Sequence, residues 1–345
     1  MPATAAPTST AATRRRTRAG AASVALVVVL VLAAVASLTL GTRPVALATA
    51  LQHFTGGDVA QMDAAVLDQR AVRTLWAATI GAALALAGAG MQGVTRNPLG
   101  DPGILGINAG AACAVVVGIS FFGVASATGF AVLALFGAGL ASVLVYALAA
   151  IGRDGATPVK LALMGAAITA ALGSFTSALI LQFNDALDSL RTWQLGSVAG
   201  ANMANYFPGA LLIAIGAAIL VGGARTINNF ALGDDMATAL GENVALKRFI
   251  LFVGITLLAG TATSMTGPIA FLGLMAPHAL RTLIGPDYRK LIPLSAVLGA
   301  ALLIIADTIG RIVLPPEEVQ VGVMMVVMGV PAFIAIVRSH KVVGL

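Results

Sequence analysis

Charge is scarce in this chain. Only 10% of its 345 residues are Asp, Glu, Lys or Arg, against about 25% in an ordinary soluble domain. A water-facing surface of normal size cannot be covered from that supply. Cysteine is nearly absent too: the single Cys113 cannot form an internal disulfide, and it sits in an apolar run where a small packing residue is expected. No GxxxxGK[ST] loop occurs, so the chain binds no nucleotide through that motif. HExxH and GxSxG patterns are missing as well, and no paired carboxylates occur in the apolar runs, which argues against an intramembrane enzyme. Those runs are almost free of acids, whereas an ion-coupled carrier needs a titratable or coordinating group deep in a span. His278 has no Cys, Asp or Glu nearby, so a packed histidine is expected there and no metal site.

What the chain has in excess is apolar sequence, 59% of its residues. Windows of about 20 apolar residues, the length that crosses a bilayer as a helix, can be drawn at ten places. They lie at 23–40, 74–93, 103–122, 129–151, 159–182, 207–222, 248–265, 268–284, 291–310 and 321–337. Continuous rather than alternating apolarity disfavours a β-barrel. The expectation is an all-α integral membrane protein of about ten transmembrane helices. The stretch 23–40 is longer than a signal-peptide core and reads as a first span, although Ala46-Leu47-Ala48 could be taken for a cleavage site. Residues 1–20 read as a disordered cytoplasmic tail and 21–345 as the membrane domain.

Ten spans with a cytoplasmic N-terminus sort the charges. One side receives 15 of the 20 Lys and Arg, among them Arg96, Arg153, Lys160, Arg225, Lys247, Arg248, Arg281, Arg289, Lys290 and Lys341. The other receives Arg43, Arg70, Arg73, Arg191 and Arg311 together with eight of the 14 acids. The positive-inside rule then puts both termini in the cytoplasm. Basic inner loops account for the high isoelectric point, and no nucleic-acid partner is implied.

One polar insert interrupts the apolar runs, Arg96-Asn97-Pro98-Leu99-Gly100-Asp101-Pro102. Its prolines end one helix, and Asp101 can cap the next with Pro102 at the first position. A second polar segment, 225–248, is too short to span, yet Leu232, Met236, Leu240 and Val244 recur at i,i+4 as one apolar stripe between two glycines. It reads as a short amphipathic cytoplasmic helix. Gly81, Ala85, Ala89 and Gly93 repeat every four positions, a spacing that lets helices approach closely in lipid.

The insert, the run from Arg73 to Gln92 before it, Leu105-Gly106 after it, the segment from Ser264 to Arg281 with Gly267-Pro268 and Pro277-His278, Ala306-Asp307 with Arg311, and Gly329-Val330-Pro331-Ala332-Phe333 occur in an order that resembles the vitamin B12 and iron-siderophore permeases of ATP-binding-cassette (ABC) importers. The resemblance implies a permease subunit without an ATPase site or cofactor of its own, in the inner membrane. Implied partners are ABC ATPase subunits that bind ATP, an extracytoplasmic substrate-binding protein, and a second permease copy or homologue. The implied cargo is a metal chelate, a ferric siderophore first and cobalamin or haem as the alternative.

The resemblance also assigns residues. Leu232, Gly233, Met236, Ala237, Leu240 and Gly241 match the segment that docks on the ATPase. Arg70, Arg73 and Arg311 match arginines that receive carboxylates of the binding protein, a role suited to bidentate guanidiniums. Gly165, Thr169, Gly173 and Thr176 on the fifth window, with Met324, Met325 and Met328 on the tenth, are candidate pathway lining. Trp193-Gln194-Leu195-Gly196-Ser197 matches a family element and is expected to form a short outer helix near the pathway mouth.

Overall fold

The computed structural model describes residues 9–152 and 155–339; Arg153 and Lys341, counted above, lie outside the described residues, as do residues 1–8 of the expected tail. All regular elements among the described residues are helices: α1 (Ser9–Thr39), α2 (Leu47–Phe54), α3 (Gln61–Thr95), a 3₁₀ turn (Pro102–Leu105), α4 (Ile107–Phe122), α5 (Ala127–Ala149), α6 (Pro158–Gln182), α7 (Asn184–Gln194), α8 (Met203–Gly222), α9 (Ala224–Phe230), α10 (Asp234–Ala239), α11 (Val244–Thr266), α12 (Leu272–Ile284), α13 (Tyr288–Val313) and α14 (Val321–Ser339). Residues 9–20, expected to be unstructured, continue α1 as helix. Ala, Arg and Thr permit this once the apolar span has nucleated the helix.

Each of the ten windows contains helix, but the count of ten spans exceeds what length and composition support. Among the described residues seven helices are long and apolar enough to cross a membrane, while α4 and Val321–Ala335 are apolar but shorter. The eighth window yields a helix of only 13 residues. There the expected tight turn consumes sequence: Gly267 ends α11 at φ 77°, and Phe271 takes φ 67° before α12 begins. Apolarity marks burial in lipid or protein and does not separate helix from extended chain.

Helix α3 is the axis of the bundle. It packs on α13, α11, α12, α8 and α1, and its residues from Gly81 to Thr95 are buried almost without exception. The small-residue stripe makes this possible. A Cβ on Gly81 would run into the backbone of Gly299, one on Gly299 into Gly81, and one on Gly88 into Gly273. Backbones thus touch at two crossings, α3 with α13 and α3 with α12, the close approach expected of small residues in lipid. Gly81→Ala should therefore force α3 and α13 apart and cost about 1–3 kcal/mol, the range for overpacking. Gly139→Ala on α5, where a Cβ meets nothing within 4 Å, should be neutral or stabilising. Thermal unfolding of the purified chain compares the two, and equal behaviour would sink the packing argument.

Candidate coupling and docking sites

At one end of the bundle the polar segment forms α10, a single turn and a half bounded by Gly233 at φ 103° and Gly241 at φ 87°. Only glycine adopts these angles without strain, so the two residues fix where the helix begins and ends. Leu232, Met236 and Leu240 are exposed at 60%, 54% and 57% and make an apolar ridge on and beside α10; the expected stripe is shorter than the spacing suggested, because Leu232 and Leu240 flank the helix and Val244 belongs to α11, where it is half-buried. Ala237, assigned to the same contact, is fully buried. It faces the bundle because it lies off the i,i+4 ridge, and it acts as a footing for the helix rather than as contact surface.

The ridge is rigidly mounted. Asp234 opens α10 and accepts two 2.9 Å hydrogen bonds from Arg248 Nη2 on α11, and Arg96 approaches the same carboxylate at 3.4 Å. Arg248 also donates to the Ala156 carbonyl at 3.2 Å and stacks over the Phe230 ring at 5.4 Å. On the far side of the turn Glu242 accepts from Thr226 at 3.1 Å and Asn229 at 3.0 Å, both on α9. Charge-assisted hydrogen bonds of this kind are about twice as strong as neutral ones. They tie α10 to α3, α9 and α11 together.

The insert after α3 belongs to this site. Arg96 caps α3 in the left-handed region at φ 53°, which turns its side chain toward Asp234. Asn97 accepts from the Leu99 amide at 2.9 Å, and Asp101 accepts from the Gly103 amide at 2.7 Å, so the expected cap exists, on the 3₁₀ turn that leads into α4. Burial pushes the Asp101 carboxyl above its ordinary pKa against the lowering effect of that amide. Nearby, Asn228 bridges Asp287 at 2.9 Å and the Tyr288 amide at 3.0 Å. Burial works to raise the Asp287 pKa, but the Asn228 and Arg289 hydrogen bonds and the charges of Arg289 and Lys290 outweigh it and hold the group low. Arg281 braces the same end with a 2.7 Å bond to Tyr288 and a 3.3 Å bond to Gln92.

The opposite end carries the three assigned arginines, and their setting differs from the one expected. Arg70, Arg73 and Arg311 are exposed at only 7%, 8% and 2%. Arg73 grips Asp307 through Nη2 at 2.8 Å and Nε at 3.0 Å and reaches Glu318 at 2.6 Å. Asp307 also pairs with Arg311, one turn further along α13, at 3.2 Å. Arg311 further donates to the Ser37 carbonyl at 3.0 Å and the Ser37 hydroxyl at 2.7 Å, while Arg70 donates to the carbonyls of Leu38 at 3.0 Å and Arg43 at 2.6 Å. Three guanidiniums against two carboxylates leave one surplus positive charge. The carboxyl end of α1 supplies the balance, since its last carbonyls have no helical partner and carry partial negative charge. The apolar window at 74–93 does not show this, because α3 begins 13 residues before it and carries Arg70 and Arg73 as helix against α1 and α13. The three arginines nevertheless border one cleft of about 100 Å³, with Arg43 and Glu318 at its edge.

The candidate pathway residues divide. Thr169 and Gly173 on α6 are exposed. Gly165 packs on the Ile104 carbonyl, Thr176 turns back to the Leu172 carbonyl at 2.7 Å, and Met324 and Met325 are buried. Met328 is half-buried. Four of the seven are thus packing residues within the chain. Helix α6 packs on α4, α5 and α7, and α14 on α12 and α13. Of the segment expected to be helical only Trp193 and Gln194 belong to α7, and the Gly196 turn after it knits three helices, through the Ser197 amide to the Thr266 carbonyl at 2.7 Å and through the Gly322 amide to the Gly196 carbonyl at 3.0 Å. His278 packs edge-on to Phe333 with ring centroids 6.4 Å apart, and no group of three or more potential metal-ligating side chains occurs among the described residues.

Comparison with known proteins fits this architecture. Residues 28–339 match the model of the FecCD transport family. The chain belongs to that family. It is 41% identical over 306 residues to the ferric enterobactin transport system permease protein FepD of Escherichia coli, covering 89% of this chain and 91% of that protein. A cobalamin import system permease protein, BtuC of Halobacterium salinarum, is 35% identical over 274 residues, with 79% and 73% covered. Among solved structures, an inward-facing conformation of a metal-chelate type ABC transporter superposes with a TM-score of 0.80 at 25% identity, covering 93% of this chain and all of that one.

Proposed function

We propose that the chain is the permease subunit of an ATP-driven importer for a ferric siderophore. The observation that carries the reading is α10: a helix whose apolar ridge is uncovered while its base is pinned to three helices of the bundle. Such an element transmits force from a partner into the membrane helices. When ATPase subunits close, a ridge seated on them moves, and Asp234, Arg248 and Glu242 pass the displacement to α11 and α9 as a rigid-body tilt. The α10 end then faces the cytoplasm with both termini, in keeping with its concentration of basic residues. The higher identity to a ferric siderophore permease than to a cobalamin permease supports the cargo assignment.

Docking of an external binding protein occurs at the arginine cleft by exchange. Glu318, about one-third exposed, is the one carboxylate at the rim, and a carboxylate from the partner takes its place on Arg73. Thr169 and Gly173 form the α6 part of a passage completed by a second permease subunit.

Vesicles containing the chain with its second permease and ATPase subunits, supplied with the binding protein, test the reading. Uptake of labelled ferric siderophore should require ATP on the α10 side and should not occur for cobalamin. Uptake driven by an ion gradient without the ATPase would overturn it.

A further inference from the structure

A cavity of about 360 Å³ opens between α3, α5, α8 and α11, none of them a helix assigned to the cargo passage. Its volume lies within the range of natural ligand pockets, about 300–1,000 Å³. None of its lining residues is charged, and its walls include Ala131, Leu135, Leu212 and Met265. Two of its lining residues carry a buried polar group without a hydrogen-bond partner: the Trp76 indole Nε1 and the Thr261 hydroxyl. Trp76 is 4% exposed and Thr261 1%. A buried indole N–H without an acceptor is unusual, since such groups are nearly always satisfied, and in a bilayer no bulk water can repair it.

The cavity has two ways out. Val132 lines it and is 63% exposed on the side of α5, so one mouth faces the surroundings of the bundle. At its other end Ala127, Gly200 and Met265 are shared with a larger cavity of about 820 Å³ that also touches Asp188, Thr192 and Ser197. The apolar chamber thus adjoins, at the arginine end, a larger cavity whose lining adds polar side chains. Between α5 and α8 the Thr128 hydroxyl and Asn205 lie 3.4 Å apart at the rim.

We propose that this chamber holds an acyl chain of a membrane phospholipid, with the headgroup toward the larger cavity and with an ester carbonyl accepting from Trp76 Nε1–H or Thr261 once the entering chain shifts the side chains that now cover these donors. The chemistry is complementary at each level: uncharged walls for the chain, orphan donors for an ester that has only acceptors, and polar side chains for the head. The proposal requires only that the bundle sits in a bilayer and is independent of the cargo. A bound chain wedged between α5, α8 and α11 touches the helix that α10 drives, so the lipid becomes part of the moving unit.

The chain has two tryptophans, so Trp193→Phe leaves Trp76 as the sole emitter. In vesicles of phosphatidylcholine brominated in mid-chain, Trp76 fluorescence should be strongly quenched despite its burial. Ala131→Phe, or Leu212→Phe from the opposite wall, should fill the chamber and weaken the mole-fraction dependence of quenching by about tenfold, equivalent to losing the burial of two methylene groups. Leu140→Phe, exposed on α5 outside the cavity, should leave it unchanged. On the unsubstituted chain, a phospholipid with a diazirine on its acyl tail should label residues 127–135 and 200–212. Absent quenching with no labelling there, or quenching that both filled variants retain, would overturn the proposal. So would quenching seen in the isolated chain but lost in the assembled importer, which would assign the mouth to a partner subunit.

Discussion

Asp307→Ala is expected to cost the fold about 3–5 kcal/mol, the penalty for removing one partner from a buried ion pair. Asp307 is 1% exposed and bonds both Arg73 and Arg311. Without it three buried guanidiniums face only Glu318 and the carbonyls at the end of α1. Water reaches them only through a cleft of about 100 Å³, which leaves their exposure at 2–8%. Glu318→Ala makes the contrast: its side chain is 34% exposed, and its loss should cost about 1 kcal/mol or less, as for surface pairs. Thermal unfolding of the purified chain separates the two, and equal losses would refute the internal role of Asp307. The same reasoning changes what charge reversal of Arg70, Arg73 and Arg311 does. It should abolish assembly of the chain, not merely its docking, so docking is better probed at Glu318, where Glu318→Gln leaves the packing in place.

The second large effect concerns α10. Leu232→Glu combined with Leu240→Glu is expected to abolish stimulation of the ATPase and ATP-dependent uptake, while thermal stability of the isolated permease stays within about 0.5 kcal/mol of the parent, as for exposed sites away from special features. Both side chains are more than half exposed, so no internal contact is lost. A hydrophobic ridge of this size gains its energy only against a partner, and two carboxylates would have to be desolvated there. Ala237→Glu should behave oppositely, destabilising the permease itself, because that residue is fully buried. Retained ATP-driven uptake by the Leu232 and Leu240 double variant would remove α10 from the coupling path.

Much of this was legible in the chain before its structure was considered. The Gly267-Pro268 turn and the Asp101 cap are local, set by residues within a few positions of each other, and each lies where the sequence puts it. Long-range consequences were not legible. Arg96 and Asp234 are far apart in sequence, and nothing in either neighbourhood says that they meet. Thr176, Gly165, Met324 and Met325 illustrate the same gap: a small or soft residue on an apolar helix serves a passage and a packed interface equally well, and only the neighbouring helix decides between them.

The arginine cluster draws the line most sharply. Composition and hydrophobic runs alone determine that this is an α-helical membrane protein, and ordered motifs determine its family, because bilayer thickness and backbone hydrogen bonding leave few alternatives. Whether an arginine at a helix end reaches outward or inward is not a property of its own segment. It depends on where the carboxylates of α13 and the open carbonyls of α1 come to rest, and burial is a relation between elements that exists only once the bundle has packed.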